Sequence, residues 1–172
     1  MKFEKILISY CACGESEAKK AYTEAVRALT ERCLTVSCAE SCTGGLIGKL
    51  FTDVSGASAV FAGGMITYTN NIKINKLGVS QKTVDTYTEV SAECAAEMAE
   101  RARVYFETDI GISATGFAGP TGGNESDPVG TVYLGIATDD GIKVYRMSFD
   151  GCSRDEIRLG VAKHAAGAVN SV

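Results

Sequence analysis

The chain has 172 residues, a length typical of a single domain that buries a substantial core. Its 17 basic and 21 acidic residues give a formal net charge of −4, and no basic stripe or arginine-rich tail indicates a nucleic-acid surface. No apolar run approaches the roughly 20 residues of a membrane span, and residues 1–13 lack the features of a signal peptide, so we expect a cytoplasmic protein with no membrane partner.

The first predicted elements cover residues 1–58. Residues 1–16 are predicted to form an extra strand or a loosely attached N-terminal arm. A helix is predicted over 16–33 with Ser16 as its cap, because apolar side chains recur there at helical spacing. The buried residues predicted for this helix are Ala18, Tyr22, Ala25, Val26 and Leu29. A buried strand over 34–39 and a helix over 46–52 follow, and then a turn.

The second half of the chain continues the alternation of strands and helices. We predict a strand over 59–69 that Gly63 and Gly64 interrupt with a bulge or a close backbone approach. A short helix over 70–78 and a helix over 91–106 that Ser91 caps follow. Its predicted buried face is Ala95, Met98, Ala99, Ala102 and Tyr105. The remaining elements are a strand over 109–115, a glycine-rich loop over 116–130, strands over 131–138 and 142–149 joined in a hairpin, and a helix over 155–169.

No repeat, linker or low-complexity block divides this succession. Helices that alternate with strands, together with one hairpin, predict a single three-layer α/β/α domain with a mixed sheet. Seven cysteines, an odd number scattered through predicted core segments, are typical of reduced thiols. Cys11 and Cys13 lack a second pair at zinc-site spacing, so they do not by themselves indicate a metal site.

The stretch around Ser41 combines a nucleophile with a turn from strand to helix. Ser41 follows the predicted strand, and Gly44 and Gly45 precede the predicted helix, where free N–H groups point at a ligand. The alternative interpretation is a helix cap followed by glycines that only turn the chain. A second candidate, the thiol of Cys42, lies next to the serine at the same helix N-terminus.

A base for this serine has to come from elsewhere in the chain. The single histidine, His164, lies in the last predicted helix, at the wrong end of the chain. Tyr68 ends a predicted strand and Lys73 follows on the next turn, so both can reach the sheet edge that holds Ser41. Lys73 is the best candidate, provided that burial or nearby positive charge lowers its pKa from about 10.4 towards neutrality. The alternative interpretation is an exposed lysine on a short helix.

Two further segments could bind an anion. The loop from Thr115 to Gly130 follows a strand, as anion-cradling loops do, but it matches neither the dinucleotide-binding nor the Walker motif. Arg154 and Arg158 lie four residues apart on the last helix and share a face, which suits a phosphate or a carboxylate. The alternatives are a flexible surface loop and a solvated helix face.

These residues resemble a known family, the C-terminal domain of the CinA (competence/damage-inducible) proteins, which are nicotinamide-nucleotide amidases. The resemblance runs from about residue 17 to the C-terminus, so residues 17–172 are identified as a CinA C-terminal-like amidase domain, and residues 1–16 match nothing in the family. Its larger members carry an additional N-terminal domain. The matching motifs, in chain order, are 39–45, 67–70 with Lys73, 77–79 followed by 90–91, 115–123 and 128–132.

The resemblance implies hydrolysis of the carboxamide of nicotinamide mononucleotide (NMN) to nicotinic acid mononucleotide and ammonia, without a metal or another cofactor. It places catalytic roles on Ser41, Tyr68 and Lys73, and it implies a homo-oligomer. The residues that it places around the substrate are Thr115, Gly116, Gly119, Gly122 and Arg158, and the amides of the Ser41 turn add Thr43, Gly44 and Gly45 to the predicted substrate-binding residues. A serine nucleophile with a lysine base and an oxyanion hole of amides from Thr43 to Gly45 would perform this reaction.

The chain departs from the family in one motif. Relatives read Gly-Asp-Arg before the last helix, whereas this chain reads Gly151-Cys152-Ser153-Arg154, which makes the role of Arg154 doubtful. An alternative function is a non-catalytic nucleotide-binding or regulatory module of the same fold, which would keep the same pocket residues. An enzyme that depends on Cys42 is a third hypothesis.

Overall fold

A six-stranded sheet lies between two layers of helices in the computed structural model, which describes residues 2–9 and 13–172. The strands are β1 (Glu4–Ser9), β2 (Val36–Glu40), β3 (Phe61–Ile66), β4 (Ile110–Gly116), β5 (Thr131–Thr138) and β6 (Gly141–Ser148). The helices are α1 (Glu15–Arg32), α2 (Leu46–Thr52), α3 (Asn70–Ile72), which continues as a π-helical turn over Lys73–Leu77, α4 (Gln81–Tyr87), α5 (Ala92–Tyr105) and α6 (Arg154–Val169). The predicted α/β/α class is confirmed.

The order of the strands brings distant parts of the chain to one edge of the sheet. The order is β1-β6-β5-β4-β2-β3, and β5 runs antiparallel to both of its neighbours, β4 and β6. Strand β2 runs parallel to β3 and to β4, so the carboxyl ends of these three strands lie together. Ligands of open α/β sheets bind at such an edge. Apart from Arg158 in α6, the predicted site residues lie at the ends of β2, β3 and β4 or in the segments that follow these strands.

The helices cover both faces of this sheet. Helices α1, α2 and α6 pack on one face, and all five residues predicted to be buried in α1 belong to that core. Helices α4 and α5 pack on the other face. Four of the five residues predicted to be buried in α5 are buried. Tyr105 is exposed, because it is the last residue of the helix.

Helix boundaries differ from the prediction in two places. Helix α1 begins after Gly14, whose N–H donates to the carboxylate of Glu17, so Ser16 lies inside the helix and is not its cap. Helix α4 occupies a segment to which the sequence assigned no element. Ser91 caps α5 as predicted, since its hydroxyl accepts a hydrogen bond from the N–H of Cys94.

Strand β3 has a bulge one residue before the predicted glycine pair. The register of the β2–β3 pair shifts between Val36, which pairs with Phe61, and Ser37, which pairs with Gly63, so Ala62 has no partner on β2. The strand is shorter than predicted, because residues 57–59 form a 3₁₀ turn. The short helix after β3 ends at Gly78, whose φ of 87° is favourable only for glycine among common residues, as the pattern indicated.

The N-terminal segment joins the sheet. Residues 4–9 form β1, which pairs in parallel with β6 at one edge. The Cys11–Cys13 pair considered as a metal site includes Cys11, which lies outside the described residues. Among residues 2–9 and 13–172, none of the helices combines the length and apolar composition that a bilayer crossing requires.

Candidate active site

A buried serine and a buried lysine meet at the carboxyl edge of the sheet. Lys73 Nζ lies 3.0 Å from Ser41 Oγ and 2.8 Å from the backbone carbonyl oxygen of Thr67. The two side chains are only 1% and 8% exposed, respectively. A lysine with this little exposure is rare unless it is paired, so the sequence alternative of a solvated lysine does not describe Lys73.

The position of Ser41 follows from the end of β2. Its N–H donates to the carbonyl of Ala114 on β4, which extends the β2–β4 ladder by one residue. The chain then turns sharply, and the N–H of Gly44 donates to the carbonyl of Ser41. The turn needs a glycine at position 44, because φ is +62° there and the guanidinium of Arg158 lies where a Cβ would be. The serine hydroxyl therefore projects from the sheet edge.

The position of Lys73 follows from the end of β3. The N–H of Thr67 donates to the carbonyl of Glu40, so the chain leaves β3 beside the Ser41 turn. Thr69 caps the short helix α3, and its carbonyl accepts a hydrogen bond from the N–H of Lys73. The π-helical turn starts at Lys73 itself, and such turns are frequent at functional sites.

Burial lowers the pKa of Lys73 below its ordinary value of 10.5. Desolvation is the largest cause, because an ammonium group loses its hydration at this position. The nearby Cys94, Glu89 and Cys42 act in the opposite direction. The direction of the net shift is the one predicted for a lysine base, because an uncharged amine can accept the proton of Ser41 while it donates to Thr67.

The carboxylate of Glu40 binds the N-terminus of α2, a role that the sequence analysis did not predict. The buried carboxylate of Glu40 accepts hydrogen bonds from the N–H groups of Gly45, Ile47 and Gly48, at 2.9, 3.1 and 2.9 Å. The expectation that free amides of this helix face the substrate is therefore wrong, and Gly45 cannot contribute to an oxyanion hole. A signal was present in the sequence, because an acidic residue beside a helix N-terminus is favourably placed to bind its amides.

Two other amides of the turn are available. In the described residues, the N–H groups of Cys42 and Thr43 make no hydrogen bond to another residue, whereas that of Gly44 is bonded to Ser41. They are the first amides after the nucleophile, and two such donors on one turn can form an oxyanion hole.

A cavity of about 250 Å³ opens beside the serine and the lysine. It is lined by Ser41, Cys42, Tyr68, Lys73, Glu89, Val90, residues 115–119, Thr121 and Arg154. Three of the predicted substrate-binding residues, Thr115, Gly116 and Gly119, are thus in this cavity. Gly116 has no room for a side chain, since a Cβ would lie 2.6 Å from the carbonyl oxygen of Thr131.

The two arginines of α6 lie in different places. Arg154 lines this cavity, whereas Arg158 Nε donates to the carbonyl of Cys42 at 2.8 Å. Arg158 lines a neighbouring cavity of about 510 Å³, together with the predicted substrate-binding residues Thr43, Gly44 and Gly45. Arg154 and Ser41 therefore line the same cavity, and Arg158 supports the turn that follows Ser41. Arg158 does not line the cavity that contains Ser41, and its predicted place beside the substrate stays a prediction.

Two other predicted site residues, Tyr68 and Gly122, lie at the margin of the cavity. Tyr68 lines the cavity but is 62% exposed, and no hydrogen bond joins its hydroxyl to Lys73 among the described residues. Gly122 belongs to the loop that borders the cavity but is not part of its wall. The described hydrogen bonds of Lys73 therefore do not include one to Tyr68.

Cys42 is a less favourable nucleophile than Ser41, and His164 packs against an aromatic ring. Burial raises the pKa of Cys42 to about 12, so this thiol stays protonated at neutral pH and is a poor nucleophile. His164 is in α6 and packs edge-on against Tyr145, with ring centroids 4.9 Å apart. No cluster of three or more acidic, cysteine or histidine side chains that could hold a metal ion occurs within residues 2–9 and 13–172.

Comparison with known proteins gives one consistent family. The family model described as the CinA C-terminal domain matches residues 18–172. A competence-damage inducible protein of Caldanaerobacter subterraneus subsp. tengcongensis is 43% identical over 164 residues, which are 95% of this chain and 39% of that protein. One from Halothermothrix orenii is 52% identical over 124 residues, which are 72% of this chain and 30% of that protein. The chain thus spans about a third of the length of these curated relatives.

Solved structures agree with the sequence comparison. The crystal structure of the competence/damage inducible protein CihA from Agrobacterium tumefaciens matches with a TM-score of 0.87 and 35% identity, and the match covers 90% of this chain and 94% of that one. A CinA superfamily protein from Escherichia coli matches with a TM-score of 0.86 and 26% identity, over 93% and 94% of the two chains. Neither description states a reaction.

Proposed function

The chain belongs to the CinA C-terminal domain family, and on that premise we propose that it is an amidohydrolase that converts NMN to nicotinic acid mononucleotide and ammonia. The observation that carries this proposal is the 3.0 Å separation of Ser41 Oγ and Lys73 Nζ. Both residues line one cavity, and both are almost wholly shielded from solvent. A serine hydroxyl becomes a useful nucleophile only when a base takes its proton. Lys73, with its lowered pKa, is such a base.

The proposed reaction has two halves. In the first, Lys73 takes the proton of Ser41 as the serine oxygen attacks the carboxamide carbon, and the N–H groups of Cys42 and Thr43 stabilise the oxyanion that forms. The lysine then gives this proton to the leaving nitrogen, which departs as ammonia and leaves an ester on Ser41. In the second half, Lys73 takes a proton from water as the water oxygen attacks the ester carbon. The C–O bond to Ser41 then breaks, Lys73 returns the proton to Ser41 Oγ, and the acid product leaves.

The rest of the cavity suits the other end of the substrate. The guanidinium of Arg154 and the backbone of the 116–119 segment can bind the phosphate of a mononucleotide. These contacts lie away from the reacting amide, and they would hold it against Ser41, which supports catalysis by orientation. We assign the phosphate to Arg154 in preference to Arg158, because of the two arginines only Arg154 lines the Ser41–Lys73 cavity.

Ammonia release from a panel of amides tests the proposal. The panel contains NMN, nicotinamide riboside and free nicotinamide, and each is incubated with the wild-type protein and with the Ser41→Ala and Lys73→Ala variants. We expect release from NMN by the wild type, and a loss of at least about a thousandfold in either variant. Thermal unfolding without ligand shows that the variants are folded.

The same samples separate an enzyme from a binding module. Stabilisation of the wild-type protein by NMN, without any ammonia, would favour a regulatory module and would refute the hydrolase. Full activity of Ser41→Ala would refute the assignment of the nucleophile, even if NMN is the substrate.

A further inference from the structure

Glu89 brings a carboxylate into the wall of the Ser41–Lys73 cavity. It lies between α4 and α5, is half-buried, and faces the same space as Ser41, Lys73 and Arg154. Its backbone carbonyl accepts a hydrogen bond of 2.7 Å from the hydroxyl of Thr115, which is fully buried at the end of β4. This bond ties residue 89 to the sheet edge, so the carboxylate is carried on a fixed backbone.

The residue before it has an unusual backbone conformation. Thr88 has φ 70° and ψ 170°, a combination that a β-branched residue rarely adopts. Local hydrogen bonds hold it there: its N–H donates to the carbonyl of Val84, and its own carbonyl accepts from the hydroxyl of Ser91. Strain of this kind persists only where surrounding contacts impose it, and it clusters at functional sites.

The wall of the cavity contains one acidic residue, Glu89, and the basic residue Arg154, and these two side chains are not paired with each other. Among the described residues, neither the carboxylate of Glu89 nor the guanidinium of Arg154 has an ion-pair partner within 4.0 Å. Glu89 nevertheless acts on the reaction centre, because its charge raises the pKa of Lys73 against the larger effect of burial. Besides Lys73, the cavity wall thus has an unpaired acidic side chain and an unpaired basic one, an arrangement that suits a ligand that is itself a zwitterion.

We propose that Glu89 is a specificity-determining residue that makes this cavity select amides carried on a cationic ring, while Arg154 takes the anionic group of the same molecule. The inference rests on the proposed function, because the pyridinium ring of NMN is a permanent cation and its phosphate is an anion. The carboxylate of Glu89 attracts such a ring by Coulomb interaction, which is stronger in a partly buried site than in water. It also repels the carboxylate formed when the amide is hydrolysed, which favours release of the product.

The test compares two ligands that differ in ring charge. The reduced form of NMN has an uncharged dihydropyridine ring but keeps the same carboxamide and phosphate. Calorimetric titration of both ligands uses the Ser41→Ala protein, so that NMN is not consumed, with and without the second change Glu89→Gln. We expect Glu89→Gln to weaken binding of NMN by about tenfold, equivalent to about 1.4 kcal/mol, and to change binding of the reduced form by less than about twofold.

Two further variants make the result specific. Glu89→Asp keeps the charge and should keep most of the preference for the cationic ring. Glu31→Gln removes the same charge from an exposed position of α1, where the side chain is 67% exposed, and should change neither affinity. Thermal unfolding of each variant checks that it is folded. Equal weakening of both ligands by Glu89→Gln, or no weakening of either, would overturn the inference.

The outcomes also separate this inference from the proposed function. If the wild-type protein releases ammonia from NMN and Glu89→Gln leaves both KM and the two affinities unchanged, only the role of Glu89 fails. If the wild type releases no ammonia and NMN does not bind, the proposed function fails and the inference fails with it. A pH profile gives a second readout: in the otherwise wild-type enzyme, Glu89→Gln should move the acid limb of kcat/KM to lower pH, because the pKa of Lys73 loses an influence that raises it.

Discussion

Lys73 Nζ lies 3.0 Å from Ser41 Oγ, although 32 positions separate the two residues in the chain. The contact exists because β2 and β3 run parallel as neighbours, so the residues that follow them leave the sheet at the same edge. Both groups are buried, and the amine also donates to the carbonyl of Thr67. A proton can therefore pass between the serine and the lysine with little competition from water.

Activity should rise with pH. Only the uncharged amine of Lys73 can take the proton of Ser41, and burial holds its pKa below 10.5. We expect kcat/KM for NMN to increase to a plateau, with a midpoint below 10.5 that reports the pKa of Lys73 in the free enzyme. Initial rates of ammonia release across the alkaline range measure it. A profile that falls as pH rises through this range would contradict a lysine base.

Stability should depend on pH through the same group. Between the lowered pKa in the folded state and 10.5 in the unfolded state, the unfolded chain binds more protons, so the free energy of unfolding rises with pH. Lys73→Met, which has no titrating group, should lack this contribution. We expect the stability of the wild type relative to the variant to increase as pH approaches 10.5, as measured by urea unfolding. A difference that stays constant over this range would show an unshifted pKa.

The two arginines of α6 should have separable effects. Arg154 lines the cavity, so Arg154→Ala should raise KM for NMN by about 10- to 100-fold, the value of a hydrogen bond to a charged group, with little change in kcat. Hydrolysis of nicotinamide riboside, which has no phosphate, should be unaffected. Arg158 supports the Ser41 turn through the carbonyl of Cys42, so Arg158→Ala should lower kcat and the melting temperature instead. If instead Arg158→Ala raised KM and Arg154→Ala lowered kcat and the melting temperature, Arg158 would be the residue that binds the phosphate.

Glu40 should matter for stability as well as for activity. Its carboxylate binds three amides of α2 from a buried position, and Glu40→Gln replaces one acceptor oxygen with an NH₂ group that faces a donor. We expect the free energy of unfolding to fall by about 2–4 kcal/mol, a loss of roughly 5–10 °C in melting temperature. Glu31→Gln on the surface of α1 is the control, with an expected change within about 0.5 kcal/mol. An equally small effect of Glu40→Gln would show that water replaces these bonds.

The cysteines should differ in reactivity. Burial raises the pKa of both Cys42 and Cys94 to about 12, so neither is a thiolate at neutral pH. Cys33 is exposed at the end of α1. Treatment of the folded protein with an alkylating reagent should modify Cys33 and leave Cys42, Cys94 and the amidase activity intact, as mass spectrometry and the ammonia assay would show. Rapid modification of Cys42 with loss of activity would support the alternative hypothesis of an enzyme that depends on Cys42.

Much of the fold follows from local patterns. The helical spacing of Ala18 to Leu29 predicts the buried face of α1, and Gly78 predicts the end of the helix after β3, because these features depend on residues close in sequence. The same kind of reasoning failed where local signals compete. Ser16 has the chemistry of a cap but lies inside α1, since the side chain of Glu17 binds the N–H of Gly14 instead.

The sequence by itself determined the α/β class, the family and the two groups most capable of the chemistry, Ser41 and Lys73, because motifs and periodicity are properties of neighbouring residues. Only the tertiary structure decided which charges face the serine. It placed Glu40 on the amides of α2, and it brought Glu89 from the α4–α5 connection and Arg154 from the first turn of α6 to one cavity. The physical reason is that strand order and register fix which segments meet at the sheet edge, and neither is encoded in the spacing along one segment.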